Sequence, residues 1–400
     1  MVRAVDRKAG FSGEVPLAQL TFRTAGESHG RGCFALIEGL PHGLPVDLAY
    51  IDAQLALRQK GYGRGARQKL ETDRAEALSG VHQGRTMGGP VLLAVWNKDA
   101  RLEKTPDLFC PRPGHADLAG AMKWDSSIRD VLERASARET AARVAAGALC
   151  RLFLKSFAIE IRGHVTVLGD VSVPPDALPS WDDLAGIERS DVRCLHEPTA
   201  KAMRKAIDAA KYAGDTLGGH FELVARGLPV GLGDCTQWDR KLDGAIAQAL
   251  MSIQAIKGVE IGLGFQAGRL PGSQVHDPIE YQAPRAPRPD GGFVRPRNGA
   301  GGLEGGITNG APLVVRCAMK PISTLMKPLP SVDLRTGKVE KADVERSDVC
   351  ALPAACVVGE SMLAFALARA FLDKFGGDSM GEIRRNYDGY LAQIGAARNG

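Results

Sequence analysis

Two distant stretches of the chain spell the same unit. CFALIEGLPHGLPVDLAYIDAQLAL, from Cys33, and HFELVARGLPVGLGDCTQWDRKLDGAIAQAL, from His220, each run a strand-like segment, a GLP-x-GL turn and a helix-like segment. Gly39 to Asp52 is 13 positions and Gly227 to Asp243 is 16, so the second copy carries a three-residue insertion. Both copies are expected to place an acid, Asp52 or Asp243, in the first helical turn. Chance likeness of two Gly/Pro turns would also explain the match. Duplication of a strand–turn–helix unit is the reading adopted, and it makes 21–400 one domain with a pseudo-two-fold internal repeat. The halves would span about 21–160 and 161–375, followed by a C-terminal helix. Residues 1–20 read as a flexible N-terminal extension, since they lack the apolar core of a targeting peptide.

Composition removes several classes. The 400 residues suit two to three ordinary domains or one large duplicated one. With 44% hydrophobic and 24% charged residues, neither disorder nor a collagen-like repeat fits. Arg, Lys or Glu interrupts the apolar runs before 18 residues, so no membrane-spanning helix is expected. The net charge, 51 − 46 = +5, is too mild to imply nucleic acid. Eight cysteines show no CxxC, which argues against a zinc or redox site and against a disulfide framework. A reducing cytoplasm is the expected compartment. The 48 glycines are in excess and cluster, as anion-binding loops do.

Period-two patterning predicts strands over 32–38, 91–96, 159–168, 220–225 and 313–320. Helical spacing predicts helices over 48–59, 133–157, 198–212, 242–256, 354–375 and 380–394. The order gives no regular βαβ unit and no GxGxxG between strand and helix, which disfavours a Rossmann domain. The stretch 264–310 is rich in Gly, Pro, Arg and Asp. Its length suggests a functional or disordered loop, and its tail NGAGGLEGGITNG could surround an anion with backbone amides.

Five motifs carry chemistry. TAGESHGRG brackets His29 with glycines, placing an imidazole that can exchange protons near neutral pH where backbone can approach a ligand. LRQKGYGRGARQKLETDR has a local charge of +4 and sets Arg58 at a helix end, with Arg64 and Arg67 in a Gly loop. Forked guanidiniums suit carboxylates and phosphates. An RNA reader would interleave stacking aromatics, and this stretch offers only Tyr62. CPRPGHAD supplies Arg112, His115 and Asp117. LERASARETAARVAAG supplies Arg134, Ser136 and Arg138 near a helix start, a good anion seat. ERSDVCALPAACVVGE adds Arg346 and Asp348. Taken singly, a turn histidine, a solvated basic loop, a structural cap and a solvated Arg–Asp pair would account for these. Together they describe a site for a small polyanion, without a metal cluster or a nucleophile elbow.

GESHGRG, RQKGYGRGARQ, RPGHAD, ERASARETAARVAAGA, SIQAIKGVEIGLGF, GGLEGGITNGAPL, MKPIST and RSDVCALPAA resemble, in order, the signatures of the chorismate synthase family, from about Thr21 to about Ser379. The resemblance implies an α+β fold, a βαβ sandwich with central helices between two antiparallel sheets, and a homotetramer. It implies anti 1,4-elimination of phosphate from 5-enolpyruvylshikimate 3-phosphate to give chorismate, with reduced FMN required. Catalytic roles would fall on His29, His115 and Asp348. Substrate would be held by Arg58, Arg64, Arg67, Arg112, Arg138 and Arg346. Flavin contacts would fall on Ala135, Ser136, Ala137, Gln254, Ala255, Gly305, Lys320, Pro321, Ile322, Ser323, Thr324 and Arg346. Many members have Ser where Ala135 stands and Asn where Gln254 stands. Neither nucleic acid nor membrane is an expected partner. Whether the protein reduces its own flavin with NADPH is left open by the sequence.

Overall fold

The computed structural model describes residues 20–65, 72–283, 286–345 and 347–396. Residues 1–19 of the expected 1–20 extension, Arg67 and Arg346 therefore lie outside the described residues, while Leu20 is fully buried in the core and so belongs to the folded domain.

The first sheet has four antiparallel strands in the order β1–β2–β4–β3: β1 Thr21–Ala25, β2 Gly32–Glu38, β3 Ala75–Ser79 and β4 Val91–Trp96. The second has five, β8–β9–β7–β5–β6: β5 Glu160–Leu168, β6 Val171–Ser172, β7 Gly219–Arg226, β8 Ile256–Ile261 and β9 Leu313–Met319. Between the sheets run α1 (Leu48–Gln59), α4 (Thr140–Lys155), α6 (Leu242–Met251) and α7 (Leu352–Phe375). Alternation sorts each strand: Cys33, Ala35 and Ile37 of β2 and Phe221, Leu223 and Ala225 of β7 are buried. Each large apolar side chain so buried stabilises the fold by about 1.5–3 kcal/mol. The architecture is α+β, sheet–helices–sheet.

The central helices meet through small residues. Ala141, Ala142, Ala145 and Ala146 are buried on α4, and a Cβ on Gly147 would lie 2.4 Å from the Ser361 Cβ of α7. Helix α7 has a mean hydropathy of 1.6 over 18 residues, so it is long and apolar enough to cross a membrane. That corrects the reading of the apolar runs. Most of this helix is buried in the core, with Glu360 held by Arg151 and Arg193.

The two GLP turns share a set of hydrogen bonds. Thr86 Oγ1 donates to the Pro41 carbonyl and accepts from the Leu44 amide, while Thr308 Oγ1 does the same with Pro229 and Leu232. Gly39 and Gly227 have φ of +83° and +84°, and a Cβ at Gly227 would lie 2.2 Å from the Ala158 carbonyl. Both threonines sit in G-x-T-x-G-x-P stretches (from Gly84 and from Gly306) that lead into β4 and β9. The likeness thus runs further than the strand, turn and helix.

Strands β2 and β4 and helix α1 have their expected ends. Four expectations are corrected. Asp52 lies in the second turn of α1, where it accepts from the Ala75 amide; Asp47 caps the helix by accepting from Tyr50 N. The expected helix 133–157 breaks: α3 (Ile128–Ala135) ends before Ser136, whose extended ψ of 141° and side-chain bond to the Arg138 amide open a short turn before α4. The expected helix 242–256 ends at Met251, because Ala255 turns to φ +68° and Ile256 begins β8. The stretch 264–310 is not one loop but short helical turns and two small hairpins, which Arg295 braces by donating to Glu304.

Candidate active site

The first basic cluster lies where α1 and the 136–140 turn meet the end of β4. Asp73, whose side chain is fully buried, accepts from Arg58 Nη2 at 2.6 Å and from Arg138 Nη1 at 2.7 Å. Burial alone would raise this carboxyl, but the two guanidiniums outweigh it and hold it below its ordinary value. The helix break at Ser136 lets Arg138 leave its helix for this pair. Arg58 Nη1 also donates to Thr140 Oγ1 at 3.3 Å.

Two residues that the sequence reading passed over hold His29 beside this cluster. Glu133 receives His29 Nδ1 at 2.8 Å on one oxygen and the His29 amide at 2.7 Å on the other. Against the pull of burial, these bonds and Arg129 keep the Glu133 carboxyl below its ordinary range. Asn97, at the end of β4, accepts from Arg138 Nε at 2.7 Å and donates to carbonyls of the His29 turn. A polar residue closing an apolar strand was the only sequence signal for Asn97. Asp73 gave none, since it counted only toward the net charge of its basic stretch.

Arg64 sits next to this group. Its Nη1 lies 2.7 Å from Asp348 Oδ2, and the other Asp348 oxygen accepts from Gly65 N at 2.6 Å. Burial pushes the Arg64 guanidinium below its ordinary value; Asp348 opposes that and Arg58 adds to it.

The second cluster is built on the 110–117 turn and the 320–324 strap. Asp117 receives Arg112 Nε at 2.8 Å and His115 Nδ1 at 2.5 Å, while Arg112 Nη1 donates to Thr324 Oγ1 at 2.8 Å. Burial works against the Asp117 charge, but His115 and Arg112 overcome it and hold the carboxyl far below its ordinary value. Lys320 Nζ and Ser323 Oγ both donate to the Gly114 carbonyl. Asp343 takes the amides of Phe109 and Cys110 and Glu345 takes Arg129, so these two acids reach toward both clusters.

Of the expected flavin contacts, Ser136 accepts from Ser28 Oγ, between Ala135 and Ala137 at the helix break. Gln254 Nε2 donates to Glu139, and the Ala255 carbonyl accepts from Lys320 N. Pro321 and Ile322 lie on the strap, where the Ile322 carbonyl accepts from Thr216. Gly305 lies on the hairpin between Leu303–Glu304 and Ile307–Thr308. Cavities of about 240 and 300 Å³ flank Arg193 instead, and no candidate residue lines either one.

Four buried polar atoms of these residues have no hydrogen-bond partner among the described residues: Arg58 Nε, Arg64 Nε, Arg138 Nη2 and Gln254 Oε1. Three are donors suited to an anion. One is an acceptor suited to an N–H group, such as a flavin ring carries. Among the described residues, no group of three His, Cys, Asp or Glu could hold a metal ion.

The chain resembles known proteins over nearly its whole length. A family model described as chorismate synthase matches residues 20–372. Proteins called chorismate synthase from Symbiobacterium thermophilum and Geobacter sulfurreducens are 53% and 52% identical. Both alignments cover 94% of this chain, and 99% and 100% of the relatives. A solved structure titled "Crystal Structure of Chorismate Synthase" superposes with a TM-score of 0.77 at 42% identity, covering 94% of this chain and 99% of the other. Fold and relatives define a lyase of the α+β class. The chain belongs to the chorismate synthase family.

Proposed function

We propose that the protein catalyses the anti 1,4-elimination of phosphate from 5-enolpyruvylshikimate 3-phosphate. The product would be chorismate, closing the shikimate pathway toward aromatic amino acids. The observation that carries the reading is the set of unpartnered N–H groups on three buried arginines, Arg58, Arg64 and Arg138. A substrate with two carboxylates and a phosphate would take up such donors, which also offset charge developing on the leaving phosphate. Arg112 extends the set, and Arg67 and Arg346 are assigned to it by their place in the family motifs.

Reduced FMN, when bound, would supply electron density to the breaking C–O bond, chemistry beyond any side chain here. The residues to hold it are Ala135 to Ala137, Gln254, Ala255, Gly305, Lys320 to Thr324, and Arg346. The orphaned Gln254 Oε1 supports this placement. In our reading, His29 donates a proton to the departing phosphate, with Glu133 fixing its ring. His115 sets the protonation state at the flavin side of the site. Asp348 accepts the substrate proton once Arg64 turns from it to the substrate, since its carboxylate is occupied by Arg64 and Gly65 without ligand.

We further read the chain as one domain of two related halves with a C-terminal helix. It would work in the cytoplasm as a homotetramer with four active sites. The test is anaerobic incubation of substrate with chemically reduced FMN, with and without NADPH. Chorismate and phosphate should appear in equal amounts with no net loss of reduced flavin. No product with reduced FMN present would remove the reading.

A further inference from the structure

Asn97 stands between two parts of the site that the chain keeps far apart in sequence. It follows β4, is 9% exposed, and is anchored by its own amide, which donates to the Arg31 carbonyl at 2.9 Å. Its side-chain nitrogen lies 3.2, 3.3 and 2.8 Å from the carbonyl oxygens of Glu27, Ser28 and Gly30, which flank His29. Its side-chain oxygen takes the Arg138 Nε–H at 2.7 Å.

This set of partners fixes the amide's orientation. Turned over, the oxygen would face three carbonyl oxygens and the NH₂ would face a guanidinium N–H. Neither neighbour can supply the opposite polarity. Aspartate would offer no donor to the turn, and serine is too short to span both sides. Only a side-chain amide of this length meets both demands. From the other side, the His29 turn is held by Glu133, whose backbone carbonyl takes the Ser28 amide and whose side chain takes the His29 amide and ring.

We propose that Asn97 is a positioning residue that sets the spacing between His29 and the Arg138 anion site. The proposal rests on the functional reading above. If His29 delivers a proton to the group that Arg138 helps to hold, the gap between imidazole and guanidinium must be right before substrate arrives. Asn97 joins the backbone of the turn to the Arg138 guanidinium itself, whereas Ser136 Oγ, which accepts from Ser28 Oγ and the Arg138 amide, reaches only the arginine's backbone. Its loss lets the turn relax and leaves Arg138 Nε unpaired in a buried place.

The test uses the full-length protein with reduced FMN under anaerobic conditions, with Asn97→Asp and Asn97→Ala made in the wild-type and His29→Ala backgrounds. Asn97→Asp keeps the acceptor for Arg138 and removes both donors to the turn. Its KM should stay within about threefold of wild type while kcat falls roughly 30- to 100-fold, the scale of a misplacement near 1 Å. Asn97→Ala, which buries no new charge, should raise KM as well. In the His29→Ala background, Asn97→Asp should cost less than about threefold, because the two changes act through one group. A wild-type kcat in both single variants, or an equal loss with and without His29, would overturn the proposal. Hydrogen exchange of the Ser28 and His29 amides gives a readout that needs no turnover. Both should lose protection in Asn97→Asp while the amides of β2 and β4 keep theirs. Unchanged protection would overturn the positioning role even if the wild type proved inactive toward this substrate, whereas lost protection in an inactive protein would indict only the functional reading.

Discussion

Two buried aspartates each hold a pair of basic side chains, and the pairs differ in kind. Asp73 holds two guanidiniums, Arg58 and Arg138, whose side chains are 3% and 5% exposed and whose charge is permanent. Asp117 holds one guanidinium, Arg112, and an imidazole, His115, which is 21% exposed. The frames differ as well. Helix and sheet ends fix the inner pair, whereas a turn and a strap tied at the Gly114 carbonyl fix the outer one. The contrast separates two tasks. In the function proposed above, permanent charge suits gripping an anion and an imidazole suits proton handling.

The largest effect should come from removing the inner counter-charge. Asp73→Asn leaves two buried guanidiniums uncompensated and should lower unfolding free energy by about 3–5 kcal/mol, read from urea denaturation. Asp117→Asn should cost less, about 1–3 kcal/mol, because Arg112 keeps Thr324 and an imidazole can shed its charge. Equal losses would erase the distinction between the pairs.

Replacing the histidines probes the proton tasks. His29→Ala and His115→Ala should each lower turnover by roughly 10- to 10³-fold with FMN still bound, given that proton transfer contributes about 10²–10⁴-fold. Near wild-type turnover in both would strip them of that role. Charge removal at the arginines should appear in binding instead. Arg64→Ala and Arg138→Ala should each weaken substrate by about 2 kcal/mol in calorimetric titration, with flavin affinity much less affected. Lost flavin binding with intact substrate binding would reverse the assignment.

The smallest effect is the acid limb of stability. Asp73, Asp117 and Glu133 are all held below their ordinary values by bonded arginines and histidines that outweigh burial. A carboxyl so lowered takes up its proton at lower pH in the folded than in the unfolded chain. Its contribution is therefore complete above the unfolded value, about 4, and is lost as pH falls through the folded one. Urea midpoints should hold level from pH 7 to about 5 and then fall. A midpoint that rose on acidification would contradict these pairings.

Much of this was legible in the sequence where local rules act alone. The period-two run in GCFALIE and the spacing in LAYIDAQLALRQ gave β2 and α1 their ends, because Gly and Pro punctuate both. Glycine brackets marked His29 and Arg64. The break at Ser136 was hidden, since the flanking Ala, Arg and Glu all favour helix and the serine works as a cap only against Arg138. Asp73 and Asn97 were hidden for another reason. Their shared partner, Arg138, lies 65 and 41 residues away, and no local pattern encodes a pairing of that range.

The most direct test of a preformed inner site beside a closing outer one is amide hydrogen exchange, run free, with FMN, and with FMN and substrate together. The His29 turn, held by Glu133 and Asn97, should be protected without ligand and change less than about threefold on binding. The loops around Arg64, around Gly305 and near Lys320 should gain about tenfold or more with both ligands, beyond what either gives alone. Equal protection of these loops with and without ligands would mean that the whole site is preformed, and the account of closure would fail.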